Sequence, residues 1–200
     1  GGLIDHAGHS DDGVSDFYEV NDFAAAIDVC LDFYNKHPKE TLIVITADHE
    51  TGALMLGSGR YEMSPELISS QKEDEDAINA KFRALQSPSW EDVKAFLSDN
   101  LGLWTKIRVP QAQEDQFKAL YQAAFEQHNT QTVVSLYSSS NRIVSEAIDF
   151  ANRQAGYNWA HGVHTGSPVG LYVMGDAALE FISCKDNTDV PKMIRTVAGY

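Results

Sequence analysis

The fold class is indicated most directly by residues 41–50, which read TLIVITADHE. The first six residues are all β-branched or apolar, which is typical of a strand covered on both faces, as in a parallel sheet. The strand pattern stops at Ala47, and two ionisable residues, Asp48 and His49, follow at once. Because α/β proteins bind ligands at the carboxyl ends of their strands, this stretch predicts both a sheet and a site at its edge.

Regular elements on either side of this stretch also favour an α/β fold. Residues 22–36 place apolar side chains at helical spacing and end before His37-Pro38, which predicts a helix ahead of the strand. Similar patterns predict further elements: a short strand at 53–56, a strand at 168–174, and a helix at 187–198 capped by Asp186 or Asn187.

The middle of the chain has a different character. Its patterns predict amphipathic helices separated by Ser-Pro or Gly-rich breaks, over residues 64–71, 73–86, 89–100, 113–128 and 139–154. Ser89 is the predicted N-cap of one of these helices. We therefore divide the chain into an α/β metal-binding core, residues 1–59 and 156–200, and an inserted, mostly helical subdomain, residues 60–155.

Composition and charge narrow the classes of partner. The chain has 200 residues, 43% of them hydrophobic, and a formal net charge of −14. Nucleic acids and anionic membrane surfaces attract clustered Lys and Arg, so neither is expected as a partner. No apolar run reaches the roughly 18 residues that a membrane-spanning helix needs. An acidic protein that binds an anionic substrate needs a local positive charge, which bound divalent cations would supply.

The first of three His/Asp clusters is Asp5-His6-Ala7-Gly8-His9. Asp5 and His9 are four residues apart, so a helical turn would place both on one face and His6 off that face. Carboxylate oxygen and imidazole nitrogen are suitable ligands for zinc. The ordinary alternative is a hydrogen-bonded pair on the surface, so this spacing is weak evidence by itself.

The other two clusters lie beside predicted strands. Asp48 and His49 follow the apolar strand directly, and the ordinary alternative is an exposed polar pair at a strand end. His161 and His164 are flanked by glycines in a loop that precedes the strand at 168–174, and the ordinary alternative is a simple turn. Each cluster by itself is compatible with either interpretation.

Together the three clusters are stronger evidence than each is alone. They contain five of the seven histidines, whereas His37 and His128 lie in ordinary helical contexts and receive no role. Three protein ligands and one open position form the usual catalytic zinc site. Two such metals a few Å apart can hold both the attacking and the leaving oxygen in phosphoryl transfer.

The clusters and their order resemble the metal-binding motifs of the alkaline phosphatase family. The matching motifs are Ile4-Asp5-x-x-x-His9 near a Gly-Gly, Thr46-Ala47-Asp48-His49 after an apolar strand, and His164-Thr165-Gly166 before a late strand. The resemblance covers about 1–56 and 157–200. It implies the C-terminal part of an alkaline-phosphatase-like α/β/α sandwich with a mostly parallel sheet.

The resemblance also implies which residues hold metal. The matched positions form two sets of zinc ligands, namely Asp5, His9 and His164 for one ion and Asp48 and His49 for the other. His6 and His161 fall outside the matched positions and are interpreted as supporting or loop residues. Glu50 follows the second motif and is interpreted as a solvated carboxylate.

Other residues of the family's site have no match in this chain. They are a glutamate before the first Gly that helps to hold magnesium, the serine nucleophile, and an aspartate that bridges the second zinc and the magnesium. We therefore expect a fragment that is inactive alone, with one zinc site that can be complete and a second with two ligands. The abrupt start at GGLIDHAGH, without an initiator Met or a signal peptide pattern, also favours a fragment.

For the intact protein, the resemblance implies a zinc-dependent phosphatase that hydrolyses phosphate monoesters through a phosphoserine intermediate. It also implies magnesium as a further cofactor, a homodimer, and a periplasmic or extracellular location. The alternatives are a phosphodiesterase, phosphonate hydrolase or cofactor-independent phosphoglycerate mutase of the same superfamily. From a different class, the alternative is a non-catalytic metal- or partner-binding module. A partial sheet would expose strand edges and apolar faces, so self-association is also expected.

The two cysteines carry less information. Cys30 lies on the apolar side of the helix predicted at 22–36, which favours a buried free thiol. A pair between Cys30 and Cys184 is the alternative. Neither cysteine has the spacing of a zinc knot.

Overall fold

The computed structural model describes residues 1–57, 61–127, 129, 132–134 and 139–200. Its α-helices are α1 (Gly2–His9), α2 (Gly13–Lys36), α3 (Glu75–Arg83), α4 (Trp90–Leu101), α5 (Gln111–Tyr121), α6 (Arg142–Ala155) and α7 (Asp189–Ala198). Its strands are β1 (Leu42–Ile45), β2 (Glu50–Thr51), β3 (Met55–Leu56), β4 (Thr132–Val134), β5 (Ser139–Asn141), β6 (Tyr157–Asn158), β7 (His164–Thr165) and β8 (Tyr172–Gly175). Two 3-10 helices (Pro65–Ile68, Ala178–Ser183) and a π-helical turn (Gln122–Glu126) complete the description.

The helix ahead of the first strand begins earlier than its apolar spacing predicted. It starts at Gly13 rather than at residue 22, and Asp12 provides the reason. The Asp12 carboxylate accepts hydrogen bonds from the Ser15 backbone N at 3.1 Å and from the Ser15 hydroxyl at 2.8 Å. An aspartate that satisfies an N–H of the first turn is a strong helix start, even where the apolar pattern is weak.

The helical character of the middle segment is confirmed by α3 to α6. Ser89 caps α4 as predicted: its hydroxyl accepts a bond from the Asp92 backbone N, and the Asp92 carboxylate accepts one from the Ser89 backbone N. This reciprocal arrangement is a capping box. Two predictions differ in detail: the segment 64–71 contains only a short 3-10 helix, Pro65–Ile68, and residues 139–141 form β5 ahead of α6. The predicted helix at 113–128 reaches His128, which lies outside the described residues.

The α/β class is confirmed, but three of the described strand pairs run antiparallel rather than in the parallel direction expected. β1 pairs antiparallel with β8, with Leu42 opposite Gly175 and Ile45 opposite Tyr172. The pairs β3–β6 and β4–β5 are antiparallel as well. All four residues of β1 are half-buried rather than covered on both faces. An apolar run indicates that a strand is favoured in a core. It does not indicate whether the strand that pairs with it, from a distant part of the chain, runs parallel or antiparallel.

The chain packs as two compact units. The first comprises residues 1–20 and 51–164. Its core is formed by large apolar side chains of the helical segment, each 2% exposed or less, including Phe82, Leu97, Leu101, Phe117 and Ile148. This unit contains α1 together with the helical segment, so its limits differ from residues 60–155. The sequence-based division of the chain stays a prediction about the whole protein.

The second unit comprises residues 21–50 and 165–200. Among its described residues Phe181 is the one buried apolar side chain, while Val29, Phe33 and Ile182 are exposed. The expectation of a buried Cys30 is therefore wrong: Cys30 is exposed, and both cysteines are free thiols. Helical periodicity places Cys30 on the apolar side of α2, where Ile27 and Leu31 are half-buried but Cys30 itself is exposed.

The last predicted elements are present with shifted starts. β8 begins at Tyr172 rather than at residue 168, and α7 begins at Asp189 rather than at residue 187. The Asp186 carboxylate accepts hydrogen bonds from the backbone N of Thr188 at 2.9 Å and from its hydroxyl at 2.7 Å. Asp186 thus orders the turn before α7.

Candidate metal centre

The first His/Asp cluster lies on a helix, as its spacing predicted. α1 carries Asp5 and His9 one turn apart, and the Asp5 Oδ1 atom lies 3.6 Å from His9 Nε2. His9 is buried, with a relative exposure of 5%, whereas Asp5 is half-buried. His6 lies on the same helix and is exposed. The i, i+4 spacing therefore brings a carboxylate and an imidazole together on one face of the helix.

His164, at the start of β7, completes this group. Its Nε2 atom lies 2.8 Å from His9 Nε2 and 3.7 Å from Asp5 Oδ1. The structure thus brings His164 next to Asp5 and His9, from which it is separated by more than 150 positions in the sequence. All three belong to the first unit.

The loop before His164 fixes the orientation of His9. The His9 Nδ1 atom lies 2.9 Å from the carbonyl oxygen of Gly162, so Nδ1 is the protonated nitrogen. In the neutral ring Nε2 then carries a lone pair, and this lone pair is directed towards Asp5 and His164. A backbone carbonyl that holds the far nitrogen of a histidine is a common support for a metal ligand.

His161, in the same loop, occupies a different environment. Its Nδ1 atom accepts a hydrogen bond from the backbone N of Val163 at 3.4 Å. Burial raises the pKa of the nearby Asp11 carboxyl to about 6, the Glu75 charge raises it further, and His161 has a smaller, lowering effect. The structure places His164, and not His161, beside Asp5 and His9.

The donor set fits a zinc ion. Zinc binds imidazole nitrogen and carboxylate oxygen at about 2.0–2.2 Å in tetrahedral geometry, which places neighbouring ligand atoms roughly 3.3 Å apart. The two distances from Asp5 Oδ1, 3.6 and 3.7 Å, are close to this value. The distance of 2.8 Å between the two Nε2 atoms is shorter, and a widening of about half an ångström by side-chain rotation would reach it. Three ligand atoms and an open fourth position is the arrangement of a catalytic site.

The second predicted pair lies in the second unit. His49 Nε2 is 3.4 Å from the nearer carboxylate oxygen of Asp48, and His49 Nδ1 is 3.1 Å from the carbonyl oxygen of Glu50. Both side chains follow the end of β1, as predicted from the apolar run. Asp48 is exposed, whereas His49 and Glu50 are half-buried. The Glu50 side chain is therefore less solvated than the sequence suggested.

One residue that contacts the ligand group was missed from the sequence. The hydroxyl of Thr51 donates a short hydrogen bond to Asp5 Oδ1. Thr51 belongs to the first unit and follows Asp48-His49-Glu50 closely in sequence. A threonine carries no metal-ligand signal, and only the tertiary structure places it beside Asp5.

Two acidic residues with raised pKa values, Asp12 and Asp16, follow the C-terminal end of α1. Asp12 is 1% exposed and accepts bonds from Gln71 Nε2 at 2.7 Å and from the Glu75 backbone N at 2.9 Å, besides those from Ser15. Burial raises the pKa of Asp12 despite these bonds. Burial also raises the pKa of Asp16 to about 6, with a further contribution from the Asp12 charge. Asp12 therefore connects the segment after α1 to the first turn of α3.

Within the part of the chain that the structure describes, no helix is long and apolar enough to cross a membrane. The expectation drawn from the sequence agrees with this finding.

Two histidines and an aspartate that converge on one point define a candidate metal-binding site in an α/β chain. Residues 1–200 match the alkaline phosphatase family over their whole length. This chain therefore belongs to the alkaline phosphatase family. Members of this family are generally metal-dependent, which agrees with the nature of the converging side chains.

Individual relatives support this assignment. Alkaline phosphatase 3 of Bacillus subtilis is 30% identical over 201 residues, an alignment that covers all of this chain and 39% of the relative. Repressible alkaline phosphatase of Saccharomyces cerevisiae is 25% identical over 178 residues, covering 86% of this chain and 30% of the relative. The crystal structure of a cold-active alkaline phosphatase from a psychrophilic Shewanella sp. superposes with a TM-score of 0.73 at 26% identity, covering 99% of this chain and 44% of that one. The chain thus spans 30 to 44% of the length of these relatives.

Proposed function

We propose that this chain provides a zinc site of a metal-dependent phosphatase that hydrolyses phosphate monoesters. The observation that carries the proposal is the convergence of Asp5, His9 and His164, whose ligand atoms lie 2.8 to 3.7 Å apart. Membership of the alkaline phosphatase family supports the phosphatase activity at the level of the reaction class. A phosphate ester would bind at the fourth coordination position of the zinc ion.

The three residues have distinct tasks in this proposal. Asp5 supplies negative charge that balances a cation, and the two imidazoles supply neutral nitrogen ligands. The Gly162 carbonyl keeps His9 in the tautomer whose Nε2 carries the lone pair that a metal would bind. A zinc ion held there would supply the local positive charge that a chain of net charge −14 needs in order to bind a dianionic ester.

Asp48 and His49 are proposed as ligands of a second zinc ion. Their ligand atoms lie 3.4 Å apart, which is compatible with adjacent positions on one metal. Two protein ligands hold a metal less firmly than three, so we expect this pair to depend on further ligands from outside residues 1–200. We propose the same origin for the ligands of magnesium and for the serine nucleophile that would form the phosphoserine intermediate.

Three properties of the whole protein follow from this proposal. The 200-residue chain by itself has no phosphatase activity, because the nucleophile comes from elsewhere. The whole protein is periplasmic or extracellular, and it forms a homodimer. The family match over residues 1–200 supports these proposals.

Zinc binding by matched histidine variants tests the site. Zinc affinity of the purified chain should fall at least about tenfold in His164→Gln, as expected for the loss of one of three ligands. His161→Gln, three residues away in the same loop, should bind zinc like the wild type. Anomalous scattering at the zinc edge, from crystals grown with zinc, should show a peak among Asp5, His9 and His164. A peak elsewhere, or equal losses in the two variants, would contradict the assignment.

Activity assays test the reaction class. The longer protein should hydrolyse a phosphate monoester in preference to a diester, whereas residues 1–200 alone should hydrolyse neither. Preference for the diester would favour the related phosphodiesterases. Zinc binding without any hydrolase activity in the longer protein would favour a non-catalytic metal-binding module.

A further inference from the structure

One short segment, Thr51–Gly52, contacts each of the elements that carry the three converging side chains. The Thr51 hydroxyl donates to Asp5 Oδ1 on α1. The Gly52 backbone N donates to the carbonyl oxygen of Val163, next to His164, at 3.0 Å. The Gly52 carbonyl oxygen accepts a bond from the Ala160 backbone N at 3.0 Å. The segment is thus hydrogen-bonded to α1 on one side and to the loop of residues 160–163 on the other.

The packing of this segment requires glycine on both sides. A Cβ atom on Gly8 of α1 would lie 3.1 Å from Thr51 Cγ2, tighter than ordinary van der Waals contact. Gly52 has a φ of +75°, and a Cβ atom there would lie 2.4 Å from Trp159 Cδ1 and 2.8 Å from the Gly8 carbonyl oxygen. Two glycines therefore let α1, the Thr51–Gly52 segment and the Trp159 side chain approach within direct contact.

The hydrogen bond to Asp5 has a direct chemical consequence. A carboxylate on a helix can rotate about its side-chain bonds, and each rotation moves the oxygen that would bind a cation. The Thr51 hydroxyl occupies one lone pair of Oδ1 and holds the carboxylate plane in the orientation seen beside His9 and His164. Groups that orient a ligand in this way commonly change metal affinity by 10- to 100-fold.

We infer that Thr51 is a positioning residue for the candidate metal centre, and that the Thr51–Gly52 segment aligns Asp5 with His9 and His164. This inference rests on the proposed zinc site. It assigns to the segment a role that does not involve contact with the metal or the substrate. The backbone bonds of Gly52 hold the loop whose Gly162 carbonyl orients His9, so the segment acts on two of the three ligands through different atoms.

Substitutions at residue 51 separate the hydroxyl from the shape of the side chain. Thr51→Val keeps the volume and removes the donor, whereas Thr51→Ser keeps the donor. Thr105→Val is the matched control, because Thr105 is an exposed threonine of the same unit whose hydroxyl donates to the Gly102 carbonyl at 3.1 Å. Zinc affinity of the 200-residue chain is measured by competition with a chromophoric chelator, and the Tm of the zinc-free protein is measured in parallel.

We expect Thr51→Val to weaken zinc binding by about 10- to 100-fold. Thr51→Ser should stay within about threefold of the wild type, and Thr105→Val should not change zinc affinity. Gly8→Ala provides a second route to the same result, because its methyl group presses on Thr51 from α1. Alanine favours a helix over glycine, so a purely structural role predicts no loss of affinity in this variant. We expect it to weaken zinc binding several-fold.

The outcomes distinguish the inference from the proposal beneath it. If the wild type binds no zinc, the proposed zinc site is refuted and this inference with it. If the wild type binds zinc and Thr51→Val binds equally well, the inference alone is refuted. It is refuted as well if Thr51→Ser loses as much affinity as Thr51→Val. One combination of results would also refute it: Thr51→Val loses zinc affinity together with a large fall in the Tm of the zinc-free protein, while Gly8→Ala binds zinc like the wild type.

Discussion

Replacement of Asp12 by alanine should destabilise the first unit strongly, because this carboxylate holds the starts of two helices. It accepts bonds from Ser15 at the start of α2 and from the Glu75 backbone N at the start of α3, and a third partner is Gln71 Nε2. Asp12 is 1% exposed, so alanine would leave these donors in a site that water reaches poorly.

The magnitude follows from two opposing effects. Hydrogen bonds to a charged group contribute about 1.5–3 kcal/mol each, and a buried donor left without a partner costs about 1–3 kcal/mol. Burial raises the pKa of Asp16 and of Glu75, and the Asp12 charge raises both further, so removal of that charge relieves a repulsion and offsets part of the loss. Burial also raises the pKa of Asp12 itself, which means that the charged carboxylate is less favourable in the folded protein than in water. We expect a net loss of about 2–4 kcal/mol at pH 7.

The assay uses tryptophan fluorescence during urea unfolding. All three tryptophans, Trp90, Trp104 and Trp159, belong to the first unit, so fluorescence reports on the unit that contains Asp12. Asp74→Ala is the matched control, because Asp74 caps α3 through one exposed bond to Ala77 N and its loss should cost about 1 kcal/mol. Asp12→Asn keeps one acceptor oxygen and should cost about half as much as Asp12→Ala.

Two results would refute this reasoning. A loss in Asp12→Ala no larger than that in Asp74→Ala would show that burial adds nothing to the cap. An equal loss in Asp12→Asn and Asp12→Ala would show that the acceptor oxygens are not what stabilises the two helix starts.

Three further predictions concern the first unit. The pKa of Asp16 in the folded protein is about 6, against an ordinary value of 3.8. Its contribution to the free energy of unfolding is therefore present below pH 4 and is lost as the pH rises through 6. Because the group is half-buried, we expect this contribution to be about 1–2 kcal/mol. Urea unfolding from pH 4 to pH 7.5 should therefore show a steeper loss of stability in the wild type than in Asp16→Asn, and parallel pH profiles would contradict this. Ser89→Ala removes one half of a capping box and should lower the free energy of unfolding by about 1 kcal/mol, with no loss expected for Ser89→Asp. Phe82→Ala should cost about 3–5 kcal/mol, because Phe82 is 1% exposed and packs against the rings of Phe96 and Phe125; a loss below 1 kcal/mol would show that this core is loosely packed.

Much of the candidate site could be predicted because its signals are local. The four-residue spacing of Asp5 and His9 is sufficient to place them on one helix face once the segment is helical. The apolar run at 41–46 likewise predicts β1 and the position of Asp48 and His49 after it. The capping box at Ser89 is a signal within four residues and was predicted with its correct helix.

The remaining features depend on contacts between distant segments. The early start of α2 depends on Asp12, whose partners include residues 71 and 75. The antiparallel pairing of β1 with β8 and the exposure of Cys30 depend on which surfaces the rest of the chain covers. Neither property has a pattern within the segment itself.

By itself, the sequence determined the α/β class, the helical middle segment and the three clusters of potential metal ligands, because periodicity, capping and residue type act within a few positions. The motif resemblance selected His164 rather than His161, and the tertiary structure places His164 beside Asp5 and His9. The tertiary structure alone placed Thr51 on the Asp5 carboxylate and the Gly162 carbonyl on His9. The reason is physical: a hydrogen bond between residues 46 or 153 positions apart forms only after the backbone has brought its donor and acceptor together, and no local pattern records that approach.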